Sequence, residues 1–498
     1  MKAHAIDPSD APVPAPILPA HTRPPRRRDG LLPRPALVAR VAQAAVENRL
    51  VLISAASGFG KTTLLADTHR HVTQQGARAL WLSVVEGEQD AGWLARALVD
   101  QLARLYDAEP AAGDDFGTLA SRLVGDQPVI VMIDNWNMLE SDAVNALFDR
   151  ILAECEGLAH FVITSRTIPG FLFETLRLAG SFAGFTSRDL AFSTQEANDV
   201  LAGTAPDSPR LFSLIERTEG WPAGVQLLRL ALEQQAGGIG PAFDFSGTRA
   251  DVAEYLGKAF FRHAPADRRA FLCNIAVLDE LSADILACAL DDPSAAATFH
   301  AVARDNLFLS ETHDRSGRLR FHSLFRDFLL SQHAQHATAP KTAVLQRAMD
   351  YHAGRGEREL AIRYAIQADQ RDAALALLAE YGPMLSGEGR VFQYAQWVDI
   401  LRQRGVATTP SIDHWYCWSL VFSGRWREGV AFAAGNIAPV DAEIATIIAA
   451  FSDDQPALSR ALDGWLAQAD RGGPFRTAVM QCAIAIAGMA HGDVERAL

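Results

Sequence analysis

The stretch Leu50-Val51-Leu52-Ile53-Ser54-Ala55-Ala56-Ser57-Gly58-Phe59-Gly60-Lys61-Thr62-Thr63 decides the fold of the N-terminal half of the chain. An apolar run ends in a glycine-containing turn, and a helical pattern, Leu64–His71, follows it. Glycine lets the backbone curl so that successive N–H groups point inward, and the helix N-terminus adds its positive end. This order predicts a phosphate-binding loop in which Ser57 through Thr63 surround the phosphate groups.

The loop also predicts how the ligand is held. Lys61 would contact the β- and γ-phosphates of ATP, or the β-phosphate of ADP, and the Thr62 hydroxyl would ligate Mg²⁺. Arginine supplies nearly all basic residues of the chain, but this loop carries a lysine, whose compact ammonium suits a phosphate cradle. Ala55 stands where the strict GxxxxGK[ST] pattern has its first glycine.

Apolar runs and amphipathic stretches alternate on both sides of the loop. Short, nearly continuous apolar runs are typical of buried parallel strands, and the alternation predicts a doubly wound α/β domain. The predicted strands are Leu50–Ala55, Ala79–Val84, Val129–Asp134 and Phe161–Ser165, and the predicted helices include Trp93–Leu105 and Ala143–Leu152.

Polar residues follow two of these strands and are candidates for chemistry. Asp134 would hold Mg²⁺, directly or through water. Asn135 stands where hydrolytic relatives often carry a second acid, and an amide cannot accept the proton of an attacking water. The pair Asp134 and Asn135 therefore predicts at most a weak ATPase, unless a base comes from elsewhere. Arg166, after the fourth strand, would sense the γ-phosphate or form a surface ion pair.

Length and composition limit the class of protein. A chain of 498 residues predicts about three domains. No apolar run approaches the roughly 20 residues of a membrane helix, and the N-terminus lacks a secretion signal, so we expect a soluble cytoplasmic protein. The net charge of −13 argues against a surface that grips nucleic acid throughout. The five scattered cysteines form no CxxC pair, which favours reduced, buried thiols.

The C-terminal third contains a repeat. Similar short segments begin at Gly356, Gly424 and Gly492, which are 68 residues apart, twice the tetratricopeptide period of 34. Intermediate turns are expected near Gly389-Arg390 and Asp454–Pro456, and coincidence among alanine-rich helices is the alternative explanation. Since six residues follow Gly492, we expect the sequence to lack the end of its last repeat.

Together these motifs resemble the signal-transduction ATPases with numerous domains, in particular the branch of the maltose-regulon activator and the large LuxR-type transcriptional regulators. The resemblance extends from about residue 22 to the end of the chain. The segments that carry it are Leu32–Leu37, Ala55–Thr63, the strand ending at Asp134, Thr164–Arg166, Glu219–Gly224, Asn306–Phe308 and Arg320–Phe325.

The resemblance implies a multidomain α/β plus α architecture. A P-loop NTPase domain with a parallel sheet, 30–193, would follow the disordered arm, 1–29, which the Pro- and Ala-rich composition itself predicts. A helical domain, 194–265, a winged-helix-like domain, 266–337, and incomplete tetratricopeptide-like helical repeats, 338–498, would follow.

The resemblance also implies residue roles. The segment around Arg34 would lie against the nucleotide base, and Pro222 would pack near the adenine. His322 would contact the ADP β-phosphate from the winged-helix-like domain. From the residues alone, His322 is a partly buried structural histidine, and Trp221-Pro222 is an ordinary helix start.

The implied function is an ATP/ADP-dependent regulatory switch. ADP would hold a closed monomer, and an inducer on the helical repeats would favour an ATP-bound form that self-associates and regulates transcription. The helix-turn-helix of the family is not found in these residues, so DNA contact would need a further C-terminal domain. Two alternatives are an enzyme of ordinary turnover, such as a P-loop ATPase or kinase, and a repeat scaffold with a vestigial nucleotide site.

Overall fold

A computed structural model describes residues 21–27, 30–85, 90–139, 141–171, 173–204, 208–234, 243–305, 308–312, 317–384, 391–436, 442–451 and 455–467, with 477–478, 480–482 and 485. Several predicted features lie outside these residues, namely the arm up to residue 20, the Asn306-Leu307 pair, and the turns at Gly389-Arg390 and Gly492. The chain divides into two compact units, one comprising residues up to Ser282 with Ala296–Ala337, the other Ala283–Ala295 with Thr338 onward.

A five-stranded parallel sheet forms the centre of the first unit. Its order is β2-β3-β4-β1-β5. The strands are β1 Leu50–Ser54, β2 Ala79–Ser83, β3 Val129–Asp134, β4 Ala159–Ser165 and β5 Phe182–Thr186. Every residue of β1 and β3 is buried, as their apolar runs predict, so the α/β prediction is confirmed. The edge strand β5 was not predicted, because Phe182–Thr186 is short and mostly accessible.

Helices pack on the sheet around an aromatic core. They are α1 Pro35–Glu47, α2 Lys61–Gln74, α3 Ala91–Leu105, α4 Phe116–Leu123, α5 Asp142–Glu154 and α6 Glu174–Leu178. Asp90 and Ser141 cap α3 and α5 by accepting backbone N–H groups of the first turn. Trp136 and Phe148, with ring centroids 4.6 Å apart, pack in the core beside β4. The buried sheet gives the turn after β1 a rigid base.

The rest of the first unit is mainly helical. Its elements are α7 Ser187–Leu190, α8 Thr194–Leu201, α9 Pro209–Arg217, α10 Pro222–Glu233, α11 Ala250–Leu256, a π-helical turn Gly257–Phe261, α12 Ala266–Ile275, α14 Ala295–Arg304, β6 Leu309–Glu311, β7 Leu319–Phe321 and α15 Ser323–His336. The antiparallel pair β6 and β7 was not predicted from the sequence pattern, because three-residue strands are too short to show alternation.

The described elements of the second unit are mainly helices. They are α13 Ala283–Leu290, α16 Lys341–Gly354, α17 Arg358–Gln367, α18 Arg371–Tyr381, α19 Val391–Gln403, α20 Pro410–Phe422, α21 Trp426–Asn436, α22 Ala442–Phe451 and α23 Gln455–Leu466. Gly356 and Gly424 occupy equivalent turns, with φ of 74° and 84°. The tetratricopeptide assignment and the domain boundaries stay predictions. Among the described helices, none combines the length and apolarity needed to cross a membrane.

Candidate nucleotide-binding site

The turn between β1 and α2 has the backbone of a phosphate-binding loop. Gly58 and Gly60 have φ of 81° and 80°, where a side chain is strained. A Cβ on Gly60 would meet no atom within 4 Å, whereas a Cβ on Gly58 would lie 2.6 Å from Trp221 Nε1. The loop is thus packed on one side and open on the other, and the open side at Gly60 fits a phosphate group.

Lys61, the first residue of α2, is buried at the base of this loop. Its Nζ donates hydrogen bonds of 2.6 and 2.9 Å to the carbonyl oxygens of Ala55 and Ala56. An ammonium has three N–H donors, so a third can reach a phosphate oxygen. Burial and the charge of Arg166 lower the pKa of Lys61 to about 7, against the opposing effect of Asp134. A phosphate at the loop would favour the charged ammonium.

Thr62 and Asp134 meet beside the loop, at the carboxyl end of β3. Asp134 Oδ1 accepts hydrogen bonds from Thr62 Oγ1 at 3.0 Å and from Thr164 Oγ1 at 2.6 Å. Burial raises the pKa of Asp134, although both hydroxyls act to lower it. A hydroxyl beside a carboxylate suits Mg²⁺, which binds through a few protein oxygens together with phosphates and waters. The two residues fit the metal role predicted for them.

Asn135 directly follows Asp134 in a left-handed conformation, with φ of 62°. Its backbone N–H donates to Thr164 Oγ1 at 3.0 Å, and its side-chain Nδ2 donates to the carbonyl of Val84 at 3.4 Å. Thr164 therefore positions both residues after β3. The resemblance included Thr164, but without assigning it this role.

Arg166 follows β4 and lies half-buried on the same side of the sheet. Its backbone N–H donates to Asn137 Oδ1 at 3.0 Å. Within the described residues its guanidinium forms no ion pair, so the alternative prediction of a surface ion pair finds no partner there. The positive charge of Arg166 acts on Lys61, because it contributes to lowering the pKa of the Lys61 ammonium. Contact with a γ-phosphate stays a prediction.

An apolar cavity of about 220 Å³ adjoins the loop. It is lined by Leu31, Leu32, Arg34, Leu37, Val38, Gly58, Phe59, Gly60, Thr63, Leu64, Asp67, Leu190, Phe192, Pro222, Ala223 and Gln226. A cavity with mainly apolar walls and a few polar groups, next to a phosphate loop, fits a nucleoside. Arg34 and Pro222, the two residues predicted near the base, both line this cavity together with the loop residues Phe59 and Thr63. Their contact with a base stays a prediction.

Arg34 is held by protein groups at the edge of this cavity. Its Nε pairs with Glu196 at 2.7 Å, and its two terminal nitrogens donate to the carbonyls of Leu190 and Ala191 at 2.6 and 3.0 Å. The guanidinium also lies 5.2 Å from the centre of the Phe192 ring. Arg34 therefore fastens the segment before α1 to the start of the helical region and shapes the cavity wall.

Trp221 and Ala223 bind the backbone of the loop itself. Trp221 Nε1 donates to the carbonyl of Ser57, and the Ala223 N–H donates to the carbonyl of Gly58, each at 3.1 Å. The resemblance singled out the segment Glu219–Gly224, but gave a role only to Pro222. Trp221 is fully buried, and this contact between distant parts of the chain is the main feature that sequence reasoning missed.

His322 contacts Thr218, in the turn that precedes Trp221. Its Nε2 donates to the carbonyl of Thr218 at 2.8 Å, and its Nδ1 accepts the N–H of Leu324 at 3.3 Å at the start of α15. This pattern requires the neutral imidazole, and burial lowers the pKa of His322 accordingly. The residue does not line the apolar cavity beside the loop. Its contact with a β-phosphate stays a prediction.

Glu219 makes a second contact to the same region. Its carboxylate forms two hydrogen bonds with Arg320, at 3.0 and 2.8 Å, and accepts the N–H of Ser323 at 2.8 Å. The turn from Thr218 to Trp221 thus touches the phosphate loop on one side and the β7–α15 junction on the other.

Parts of known proteins are similar in sequence to this chain. Residues 258–341 match the family described as the MalT winged helix domain. The serine/threonine-protein kinase PknK of Mycobacterium tuberculosis is 25% identical over 386 residues, 74% of this chain and 35% of PknK. The HTH-type transcriptional regulator AlkS of Pseudomonas putida is 25% identical over 413 residues, 79% of this chain and 45% of AlkS. The HTH-type transcriptional regulator MalT of Cronobacter sakazakii is 21% identical over 431 residues, 83% of this chain and 47% of MalT.

The chain therefore spans less than half the length of each of these relatives. The winged-helix match lies in the segment that follows the helical region, and the matches to the longer proteins extend over most of this chain. These findings confirm that the chain is similar to the MalT-like signal-transduction ATPases, as its sequence motifs predicted.

Proposed function

We propose that the chain binds ATP or ADP with Mg²⁺ and acts as a nucleotide-dependent switch in a transcription regulator similar to MalT. One observation carries this proposal. The buried Lys61 ammonium, the open face at Gly60 and the apolar cavity all belong to one loop, so a phosphate tail and a nucleoside can be held side by side. The HTH-type regulators among the relatives support the regulatory role.

Each residue of the site has a distinct task in this proposal. The backbone N–H groups of the loop and Lys61 balance the phosphate charge, and Thr62 and Asp134 hold Mg²⁺. Bound Mg²⁺ would neutralise part of the charge on the phosphate oxygens. Asn135 offers no carboxylate to accept a proton from water, so hydrolysis is slow and the bound nucleotide persists. A long-lived nucleotide suits a switch better than an enzyme of rapid turnover.

The turn Thr218–Trp221 supports a coupling between the nucleotide and the winged-helix region. Trp221 holds the loop at Ser57, while Thr218 and Glu219 hold His322 and Arg320. A change in the loop would reach both contacts through one short turn. Moving a population from almost fully closed to almost fully open needs a differential affinity of about 5.5 kcal/mol. Contacts of Lys61, Mg²⁺ and Arg166 with a γ-phosphate would supply part of it.

The remaining parts of the proposal extend beyond this site. We expect an inducer to bind the helical repeats, the ATP form to self-associate, and DNA to be contacted by a segment other than the residues described here. Size-exclusion chromatography with light scattering in ADP and in ATP tests the association. The same particle mass in both nucleotides would contradict the switch.

The binding itself is tested by titrating fluorescent ADP and ATP analogues, with Mg²⁺, into three proteins. Wild type and Lys258→Ala should bind alike, because Lys258 is an exposed lysine paired with Glu254. Lys61→Ala should bind about 100-fold more weakly or not at all, since it loses the charge at the loop. Equal affinity of Lys61→Ala and wild type would refute the site, and absence of any binding in wild type would refute the proposed function.

A further inference from the structure

A second cavity, of about 280 Å³, adjoins the phosphate loop at Ala56. Ala56, two residues after β1, and Arg166, after β4, contribute to its wall. His263, Arg268, Phe260 and Phe325 also line it. It shares no lining residue with the nucleoside cavity. The nucleoside proposed above therefore does not account for this space, and ADP, which has no γ-phosphate, leaves Arg166 available there.

Three of the six polar side chains on this wall are basic, namely Arg166, His263 and Arg268. Within the described residues neither the Arg166 guanidinium nor the His263 imidazole has a hydrogen-bonding partner. Arg268 is paired with Asp305, which is the one carboxylate on the wall. A half-buried guanidinium without a counter-charge favours an anionic ligand, because its attraction to an anion is screened less there than in bulk water.

The other walls are apolar and partly aromatic. The Phe260 and Phe325 rings pack edge to face with centroids 5.9 Å apart. Phe260 belongs to the π-helical turn Gly257–Phe261, and such turns often occur at functional sites. Pro265, also on the wall, precedes α12, whose N-terminus has no side-chain cap. These groups suit a ligand with an apolar body and one anionic end.

We propose that this cavity binds a small organic anion, with its carboxylate or phosphate head on Arg166 and His263 and its apolar body against Phe260 and Phe325. The ligand would lie next to the phosphate loop without occupying the open space at Gly60. Ala56 contributes to the cavity wall, and its carbonyl oxygen also accepts a hydrogen bond from Lys61. Ala56 therefore connects the proposed anion site to the nucleotide site.

The proposal is tested on the full chain saturated with ADP and Mg²⁺, by calorimetric titration with benzoate, phenyl phosphate, inorganic phosphate and benzamidine. One aryl anion or both should bind saturably, and the tighter one identifies the head group. Inorganic phosphate should bind more weakly than phenyl phosphate, because it lacks the apolar body, and the cationic benzamidine should give no binding heat. Equal binding of inorganic and phenyl phosphate would overturn the role of the aromatic wall.

The His263→Glu variant decides the location. It should weaken binding of the aryl anion about tenfold or more, because a carboxylate would face the ligand's head group. Its ADP affinity should be unchanged, and His300→Glu, at an exposed histidine on α14, should leave both affinities unchanged. The same aryl-anion affinity in His263→Glu and wild type, or no saturable binding in wild type, would overturn the proposal. A repeat without ADP separates this result from a failure of the proposed nucleotide switch.

Discussion

The indole Nε1 of Trp221 donates a 3.1 Å hydrogen bond to the carbonyl oxygen of Ser57, a residue 164 positions earlier in the chain. The phosphate loop therefore depends on a tryptophan from the helical region for its shape. Ala223, in the first turn of α10, donates its N–H to the carbonyl of Gly58, so two successive loop carbonyls are fixed from outside the sheet domain.

The first prediction concerns this hydrogen bond. Trp221→Phe removes the indole N–H, and the unsatisfied carbonyl should destabilise the loop by about 1–3 kcal/mol. We expect ADP affinity to fall about three- to tenfold in fluorescence titration, because part of this free energy is spent in ordering the loop. Trp93→Phe is the control, since Trp93 is equally buried but its Nε1 has no hydrogen-bonding partner among the described residues. Equal loss of affinity in both variants would contradict the role of the bond.

A second prediction separates the two loop glycines. Gly58→Ala would place a Cβ 2.6 Å from Trp221 Nε1 and 2.7 Å from Ala223 Cβ, whereas Gly60→Ala meets nothing. Both variants carry the strain of a positive φ, about 1–2 kcal/mol, and Gly58→Ala adds an overpacking penalty of about 1–3 kcal/mol. Thermal denaturation without nucleotide should show the larger loss for Gly58→Ala. Gly60→Ala should remain folded yet lose nucleotide, since its methyl group enters the phosphate space.

The third prediction concerns protons. Because the pKa of Lys61 is lowered to about 7, the residue is mostly neutral at pH 8, and a bound phosphate should restore its charge. ADP binding at pH 8 should then take up about one proton. At pH 6, below the lowered pKa, Lys61 is already charged and should contribute no uptake. The measurement is the calorimetric heat of ADP binding in HEPES and in Tris, and equal heats in the two buffers at pH 8 would refute it.

A fourth prediction tests the contact between the helical and winged-helix regions. Burial alone would raise the pKa of Glu219, but the hydrogen bonds of Arg320 hold it below its usual value. The ionised carboxylate thus stabilises the fold above the pKa of the unfolded chain, about 4.3, and this contribution is lost as pH falls through the lower folded pKa. Glu219→Gln should lower stability by about 1–3 kcal/mol at pH 7.

Melting temperatures at pH 7 and pH 4 test whether the stabilisation by Glu219 is lost as pH falls. The difference in melting temperature between Glu219→Gln and wild type should be smaller at pH 4. Glu254→Gln, which removes the exposed partner of Lys258, should melt with wild type at both pH values. A difference that grows on acidification would show that Glu219 is not stabilised as a carboxylate.

The sequence predicted those parts of the fold that depend on local patterns. The continuous apolar runs predicted the buried strands β1 to β4. After β1, the spacing around Lys61 predicted a turn and then a helix within the same segment. The carboxyl ends of parallel strands meet at one edge, so Asp134 was correctly expected near Thr62. Residues whose surroundings come from nearby positions are therefore accessible to sequence reasoning.

Other features depend on contacts that no local pattern encodes. Three contacts join residues more than 100 positions apart. They are the hydrogen bond from Trp221 to Ser57, the ion pair of Arg34 with Glu196, and the hydrogen bond from His322 to Thr218. The strands β5 and β6 are short and largely accessible, so they lack an apolar signature. These elements form because tertiary packing orders them, which propensity alone does not reveal.

The left-handed backbone of Asn135 has a consequence for how activity can evolve. Only glycine, asparagine and aspartate adopt this conformation readily, so few residue types fit the position. Exchange of the amide for a carboxylate would preserve the backbone while supplying a proton acceptor beside Asp134. In the switch proposed above, this single exchange would shorten the lifetime of bound ATP without changing the fold, so the two properties could be selected separately.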